Sequence, residues 1–255
     1  MHRTILPLLC VAALSAADTV TLRADAYLPF SGDPKAEKPG SIIEVAKRVF
    51  EKAGYTIDFQ NMPWSRTLDE VRAGKIDGAV GAAAAEVADL ALPAEALGYW
   101  LPVFATPAGS TWTYANQTSL AGLAIGVVQD YDYGVDPDGQ SYNEWHKANP
   151  SKIQVLKGDK PNDLAVGMLA KKRLDLFIED WGVVSAAATS AKVDPALLRN
   201  AGPAGKGYDL FIAFSPTDRG RKLATTLAAG TAELRASGEL AKILAAYGMS
   251  DWKKK

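Results

Sequence analysis

A strand–helix–strand–helix–strand pattern occurs twice along the chain, and this repeat limits the possible folds more than any other feature. Apolar and alternating segments predict three strands in each unit, at residues 21–24, 55–59 and 76–80 and again at 123–128, 153–156 and 174–178. Strands connected through helices form sheets that the helices cover. The repeat therefore predicts an α/β fold with two lobes, each a mostly parallel sheet flanked by helices, and a cleft between the lobes.

Helices are predicted between these strands from apolar periodicity and from local start signals. Ser41-Ile42-Ile43-Glu44 has the form of a capping box, in which the serine and glutamate side chains satisfy free backbone N–H groups. Pro63 is expected to start the next helix, because proline is favoured in a first turn. In the second unit a helix is expected near residues 140–148, and Asn162 is expected to cap the helix that follows.

The last part of the chain is predicted to return to the first lobe. A strand at 208–214 and helices at 218–235 and 239–247 would complete that lobe. We place the two crossovers near 104–113 and 201–207, where glycine, proline and small residues are frequent. The predicted organisation is therefore a first lobe of residues 18–108 and 206–255, and a second lobe of residues 109–205.

The N-terminal 17 residues have the pattern of a secretory signal peptide. Arg3 precedes an apolar run from Ile5 to Leu14, and Ser15-Ala16-Ala17 forms a small-residue cleavage site. The run is too short to be a membrane-spanning helix. Cys10 follows Leu9, where a lipoprotein signal has a small residue, so we expect an unlipidated periplasmic protein that starts at Asp18.

Composition argues for a binding protein and against several other classes. The 255 residues contain 28 Lys and Arg against 29 Asp and Glu, which is unlike the basic excess of a nucleic-acid-binding protein. Without residues 1–17 no cysteine remains, and His146 is the one histidine. We interpret His146 as a solvent-exposed residue of a helix. These features predict no cofactor, no metal site and no catalytic activity.

Ligands bind at the carboxyl ends of parallel strands, beside helix N-termini. That rule selects six loops, three in each predicted lobe, before any particular side chain is considered. They lie at residues 25–30, 62–66, 81–86, 130–134, 158–160 and 179–181.

The chain resembles bacterial extracellular solute-binding protein family 3, the periplasmic receptors of polar amino-acid ABC transporters, over essentially its whole mature length. The resemblance rests on Tyr27-Leu28-Pro29-Phe30, on Gly40 before a helix, on Trp64, on Gly74-Lys75-Ile76-Asp77 and on Asp175 to Asp180. Pro63-Trp64-Ser65-Arg66 and residues 128–134 are similar to an atypical subgroup. The resemblance implies a type II periplasmic-binding-protein fold, a small polar solute as ligand and a membrane permease as partner.

The same resemblance implies several ligand-contacting residues. Tyr27 has the place of the aromatic that stacks on the ligand, and Asp180 has the spacing of the ammonium acceptor. Trp64 is expected to line the cleft, although both aromatics could equally be core. The full set of candidate ligand-binding residues is Tyr27, Phe30, Trp64, Arg66, Gly81, Tyr131, Tyr133, Asp180 and Trp181.

One departure from the family pattern bears on the ligand. The family has a Ser/Thr-rich turn followed by Glu-Arg, whose arginine holds the ligand carboxylate in a bidentate pair. Here the turn is Gly81-Ala82-Ala83-Ala84-Ala85, and Val87 follows Glu86. Arg66 either replaces that clamp from the first turn of a helix or pairs with Asp69 or Glu70 on the helix surface.

The sequence favours a monomeric receptor that captures an amino-acid-like or amine solute by hinge closure and delivers it to an ABC transporter. The alternatives are an enzyme on the same scaffold, such as a dehydratase, and a ligand-sensing domain with no transport role. A dehydratase would need a general acid or base, and the candidates are Glu86, Glu179 and Asp180.

Overall fold

The computed structural model describes residues 18–254, which form two five-stranded sheets covered by helices. The predicted signal peptide lies outside the described residues. The strands are β1 (Asp18–Ala24), β2 (Tyr55–Asn61), β3 (Gly78–Ala83), β4 (Gly98–Trp100), β5 (Pro102–Pro107), β6 (Ile125–Val128), β7 (Ile153–Leu156), β8 (Leu176–Asp180), β9 (Leu198–Pro203) and β10 (Tyr208–Phe214). The helices are α1 (Ser41–Lys52), α2 (Trp64–Arg72), α3 (Tyr142–Ala148), α4 (Pro161–Ala170), α5 (Trp181–Ser190), α6 (Asp218–Ser237) and α7 (Glu239–Ala246).

The two sheets have the same construction, as the sequence repeat predicts. The first has the order β2-β1-β3-β10-β4 and the second has the order β7-β6-β8-β5-β9. In each sheet three strands are parallel, and two further strands join them antiparallel. We call the first sheet with its helices the first lobe, and the second sheet with its helices the second lobe.

Asp77 and Asp175 each precede the third strand of their unit, and they make the same contact in both lobes. The Asp77 carboxylate accepts a hydrogen bond from the backbone N–H of Thr21 on β1 at 2.8 Å. The Asp175 carboxylate accepts one from the N–H of Ala124, just before β6, at 2.8 Å. Each aspartate therefore ties the segment before a third strand to the start of the first strand of its unit.

The chain crosses between the lobes twice, and the first crossing lies earlier than the predicted boundary at residue 108. Strand β4 belongs to the first sheet and β5 to the second, so only Leu101 separates them. The boundary was based on the glycine, proline and small residues near 104–113, whereas the chain crosses at the end of a run of large apolar residues, Tyr99-Trp100-Leu101. The second crossing lies between β9 and β10, at residues 204–207, within the predicted segment.

Two predicted helix caps are wrong, although the helices exist. Gly40 is the N-cap of α1, and Ser41 is a buried first-turn residue whose hydroxyl has no partner. Glu44 instead accepts a hydrogen bond from the Tyr247 hydroxyl at 2.7 Å. The N-cap of α4 is Lys160, which leaves Asn162 buried inside the first turn. In both cases the N-cap lies one or two residues before the side chain that the sequence signal selects.

Each lobe has its own apolar core between sheet and helices. In the first lobe Phe50 of α1 meets Phe214 of β10 edge-on, with ring centroids 6.1 Å apart. In the second lobe Leu169 of α4 and Phe177 of β8 are completely buried in one cluster. Within residues 18–254 no helix has both the length and the apolar content needed to cross a membrane. The loops at the strand ends are thus attached to strands that pack against these buried residues.

Two glycines in helices are expected to respond oppositely to alanine. A Cβ at Gly220, in the first turn of α6, would lie 2.0 Å from the carbonyl oxygen of Ser215, so the helix would have to shift. A Cβ at Gly167, inside α4, would meet nothing within 4 Å. We expect Gly220→Ala to lower the free energy of unfolding by about 1–3 kcal/mol and Gly167→Ala to raise it by about 0.5–1 kcal/mol. Urea denaturation of both variants measures this, and equal effects would contradict the close approach of α6 to Ser215.

Candidate functional site

A small cavity lies between the two lobes, at the ends of the strands that the sequence rule selects. Its volume is about 30 Å³, which is room for one or two water molecules. An organic solute is larger than this, so the lobes must move apart to admit one. The side chains and backbone that line the cavity belong to Asp25, Tyr27, Trp64, Val80, Gly81, Ala83, Glu86, Tyr131, Asp132, Tyr208 and Leu210.

The loop after β1 supplies the aromatic residue of one wall. A tight turn holds this loop, since the Tyr27 N–H donates to the Ser31 carbonyl at 2.7 Å. The Tyr27 side chain is 8 % exposed, and its hydroxyl donates to Oε1 of Glu179 in the second lobe at 3.0 Å. Tyr27 therefore contacts both the cavity and the opposite lobe.

The start of α2 supplies a second aromatic residue. The helix begins at Trp64 after Pro63, whose extended backbone is the N-cap. The indole N–H of Trp64 donates to Oε1 of Glu86 at 3.0 Å, so the loop after β3 and the start of α2 hold each other. A buried tryptophan and a half-buried carboxyl group thus form one unit of the cavity wall.

Gly81 allows the β3 backbone to curve along the cavity. Its φ of 95° lies in the left-handed region that favours glycine. The pairing of β3 with β10 shifts register here, since Ala82 faces Phe211 while Val80 faces Ile212. Gly81 is therefore the extra residue of a β-bulge, a device that re-aims neighbouring groups at a sheet edge.

The second lobe supplies Tyr131 and Asp132 from the loop after β6. The Tyr131 ring stands edge-on to Trp64, with centroids 6.5 Å apart, and edge-on to Tyr27 at 5.9 Å. The Tyr131 hydroxyl donates to the Asp25 carboxylate of the first lobe. The Tyr208 hydroxyl, from β10, donates to the Asp132 carbonyl at 2.8 Å. These contacts join the two lobes directly across the cavity.

Burial changes the acid–base properties of the cavity carboxyl groups. Desolvation raises the pKa of Asp25 to about 6, against the lowering effect of the Tyr131 hydrogen bond. Desolvation likewise raises the pKa of Glu86 to about 7, against the hydrogen bond from Trp64. No lysine, arginine or histidine lines the cavity within residues 18–254. The cavity is therefore acidic and aromatic, with no cationic side chain to balance its carboxyl groups.

The structure brings four of the nine predicted site residues together around the cavity: Tyr27, Trp64, Gly81 and Tyr131. The other five have different roles. No group of His, Cys, Asp or Glu side chains in the described part of the chain is arranged to hold a metal ion.

Arg66 does not take the place of the missing clamp. Its guanidinium pairs with Glu70 one turn along α2, with Nε and Oε1 2.8 Å apart, and its side chain is 67 % exposed. Of the two interpretations, surface pairing is the one that the geometry supports. Val87, where the family has arginine, is completely buried in a cluster with Trp64 and Leu68.

Asp180 is a helix cap and not a cavity residue. One carboxylate oxygen accepts from the Gly182 N–H at 2.7 Å at the start of α5, and the other from the Leu101 N–H at 3.2 Å. The carboxylate is thus used twice by backbone donors, at a helix N-terminus where a negative charge is favourable. Trp181 is the first residue of α5 and packs against the core of the second lobe.

Phe30 and Tyr133 belong to the cores. Phe30 is 1 % exposed and contacts Tyr27 from behind, with centroids 5.4 Å apart. The Tyr133 hydroxyl accepts from the Val128 N–H at 2.6 Å, so this residue shapes the loop that carries Tyr131. His146 is half-buried beside Tyr133, and burial lowers its pKa to about 4, so its interpretation as a solvent-exposed residue is wrong.

Four of the polar cavity residues were not among the candidates: Asp25, Glu86, Asp132 and Tyr208. The first three lie in loops that the strand-end rule selects, and Glu86 was considered only as a general acid or base. The sequence signal for these three is their place in a strand-end loop, and Asp132 also accepts from the Gly134 N–H at 2.9 Å. Tyr208 had no such signal, because it lies on the strand that returns from the second lobe.

The family model for bacterial extracellular solute-binding proteins, family 3, matches residues 20–250. No relative was found among curated protein sequences. One similar solved structure comes from work on glutathione import via GshT and the cystine ABC importer TcyBC of Streptococcus mutans. Its sequence is 20 % identical, and the TM-score is 0.74 over 94 % of this chain and 100 % of that chain.

Two further solved structures have the same fold. A histidine kinase sensor domain with similarity to periplasmic binding proteins is 17 % identical, with a TM-score of 0.72 over 91 % of this chain and 98 % of that one. The amino acid ABC transporter substrate-binding protein AbpA from Streptococcus pneumoniae, bound to L-arginine, is 16 % identical, with a TM-score of 0.70 over 90 % and 94 %. The predicted type II periplasmic-binding-protein fold is thereby confirmed.

Proposed function

The chain belongs to family 3 of the bacterial extracellular solute-binding proteins, and we propose that it encloses one small polar solute between its lobes and delivers it to an ABC transporter. In this proposal residues 1–17 direct the chain to the periplasm, and a monomer with a bound solute docks on the membrane permease. The solute is amino-acid-like or an amine. The protein binds the solute and does not convert it.

The observation that carries the proposal is a cavity between the lobes with walls from both. Tyr27 and Trp64 come from the first lobe, and Tyr131 comes from the second. The lobes are joined by two short connections, at Leu101 and at 204–207, so closure can occur by bending at these points. A solute held between such walls stabilises the closed arrangement, which is the form that a permease can recognise.

A sensing role and an enzymatic role are the alternatives. A histidine kinase sensor domain has the same fold, and such a domain also needs only a cavity that closes. Asp25 and Glu86, with pKa values of about 6 and 7, could serve as a general acid and base. Desolvation is the largest cause of both values, and neighbouring carboxyl groups add to it at Glu86, so the values do not require a catalytic role. The fate of the bound solute separates binding from conversion.

A thermal-shift screen over amino acids, amines, betaines and small carboxylates tests the proposal. A ligand that binds only the folded state at a hundred times its Kd raises stability by about 2.7 kcal/mol. We expect a ligand from this screen to lower the radius of gyration in small-angle scattering, because the lobes close on it. Mass spectrometry should recover the ligand unchanged, and recovery of a converted product would contradict a receptor.

Trp64→Ala should remove the thermal shift, because it deletes a wall of the cavity. Trp252→Ala is the matched control, since that indole donates to Asp209 and lies outside the cavity. Loss of the shift in both variants would mean that the screen reports general destabilisation and not occupation of this cavity.

A further inference from the structure

The charge of the cavity restricts the chemical class of its ligand. Three carboxyl groups line it, those of Asp25, Glu86 and Asp132. No basic side chain lines this cavity within residues 18–254, and Arg66 is turned to Glu70 on the surface. Arg72 donates to the Glu86 carbonyl, and Lys147 and Lys157 lie along a neighbouring open groove, so none of the three belongs to the cavity lining. A ligand carboxylate placed here would meet like charges with no partner, and like-charge contacts in a buried site are strongly unfavourable.

The aromatic walls of the cavity favour a cationic ligand. Tyr27, Trp64, Tyr131 and Tyr208 surround the cavity, and the polar tips of all four donate to protein acceptors. Their ring surfaces, and not their hydroxyl groups, therefore remain for a ligand. Aromatic rings attract cations through the negative charge on their faces. Glu86 accepts from Trp64 through Oε1, which leaves Oε2 for a cationic group.

We propose that the cavity binds a small organic ammonium ion that carries no carboxylate group. This inference rests on the proposed receptor function and narrows its ligand to one class. The cationic nitrogen lies among the carboxyl groups of Asp25, Glu86 and Asp132, and the aliphatic part of the ligand lies against the four aromatic rings. The apolar turn at residues 81–85 and the buried Val87 are consistent with a site that no longer holds an α-carboxylate.

Protonation of the site follows from the same geometry. Glu86 faces Trp64, Asp25 and Asp132, and Arg72 donates to its backbone carbonyl at 3.3 Å. Desolvation, together with the nearby carboxyl groups of Asp132 and Asp25, raises the pKa of the Glu86 side chain to about 7. A bound cation favours the carboxylate form and so releases a proton. Affinity for the cation should therefore fall as the pH decreases from 8 to 6, while Glu86 and Asp25 take up protons.

Four matched pairs of compounds test the inference, since each amine or alcohol cation differs from its partner by a carboxylate. The pairs are agmatine and arginine, putrescine and ornithine, cadaverine and lysine, and choline and glycine betaine. We expect calorimetry to show that at least one cation binds a hundredfold or more tightly than its carboxylate partner. Tighter binding of the carboxylate member in every pair that binds, or binding by no member of any pair, overturns the inference.

Two variants locate the effect in the cavity. Glu86→Gln should lower the affinity for the cation at least tenfold at pH 8 and should flatten the pH dependence of that affinity. Arg66→Ala should leave the affinity and its pH dependence unchanged. Choline keeps its charge at every pH, so any pH dependence of choline binding comes from titration of the protein alone. An amino acid that binds wild type tightly and is lost in Arg66→Ala would overturn the ligand class but leave the receptor function standing. The receptor function is judged separately, by closure on any ligand of the wider screen.

Discussion

Glu179→Gln is expected to stabilise the protein at pH 8 and to have little effect at pH 5. The Glu179 side chain is completely buried, and its Oε1 accepts from the Tyr27 hydroxyl, the Trp100 indole and the Asp180 N–H. Its Oε2 has no partner, and desolvation raises the pKa of the carboxyl group to about 8. The folded state therefore holds a neutral acid, which glutamine imitates in shape and charge.

The pH range over which Glu179→Gln changes stability follows from the raised pKa of Glu179. The folded pKa lies above the ordinary value of 4.5, so the contribution to stability is fully present below pH 4.5 and is lost as the pH rises to 8. At about 1.4 kcal/mol per pKa unit, the wild type loses about 3 kcal/mol between pH 5 and pH 8 through this group, and the variant does not. Urea denaturation at the two pH values measures the difference. Glu51→Gln, at an exposed glutamate, is the control, and a gain for Glu179→Gln that is equal at both pH values would contradict a neutral Glu179.

Tyr131→Ala is expected to weaken binding of the best ligand of the screen at least a hundredfold, about 3 kcal/mol. Tyr131 and Asp132 are the contributions of the second lobe to the cavity lining, and the Tyr131 ring is in contact with both Trp64 and Tyr27. Removing the ring deletes the wall that closes over the solute, together with the hydroxyl contact to Asp25. Calorimetry on the purified variant measures the loss.

Two further variants separate the parts of this effect. Tyr131→Phe keeps the ring and removes only the hydrogen bond to Asp25, so we expect a loss of about tenfold. Tyr99→Ala removes an aromatic that stacks on Trp252 outside the cavity, and affinity should not change. If Tyr131→Ala retained full affinity while remaining folded by circular dichroism, the ligand would have to bind outside the cavity.

Glu179 also connects stability with closure. It lies at the end of β8 in the second lobe, and its partners Tyr27 and Trp100 belong to the first. The contacts that keep this carboxyl group buried are thus contacts between the lobes. In the sequence Glu179 was one of two adjacent carboxylates, and the family spacing selected its neighbour Asp180 as the ligand anchor. The neighbour caps α5 instead, because the backbone of β8 directs successive side chains to opposite sides of the sheet.

The residues that sequence reasoning placed correctly in the cavity share one property. Tyr27, Trp64, Gly81 and Tyr131 lie at the carboxyl ends of strands or at the helix start beside them, and the periodic pattern predicts those positions. Arg66 and Asp180 failed for a different reason. Both have a nearby partner that satisfies the charge, Glu70 in one case and backbone N–H groups in the other, and a partner of this kind competes with any ligand.

The sequence by itself determined the two α/β units and the family, because strand and helix periodicity and local motifs depend on residues close together along the chain. Only the tertiary structure decided which side chains meet. Tyr131 and Asp25 are separated by 106 residues and Tyr27 and Glu179 by 152, so their contacts exist only when the lobes close. The acidity of the cavity has the same origin, since the pKa values of Asp25 and Glu86 depend on burial by distant segments, and burial is not encoded at any one position.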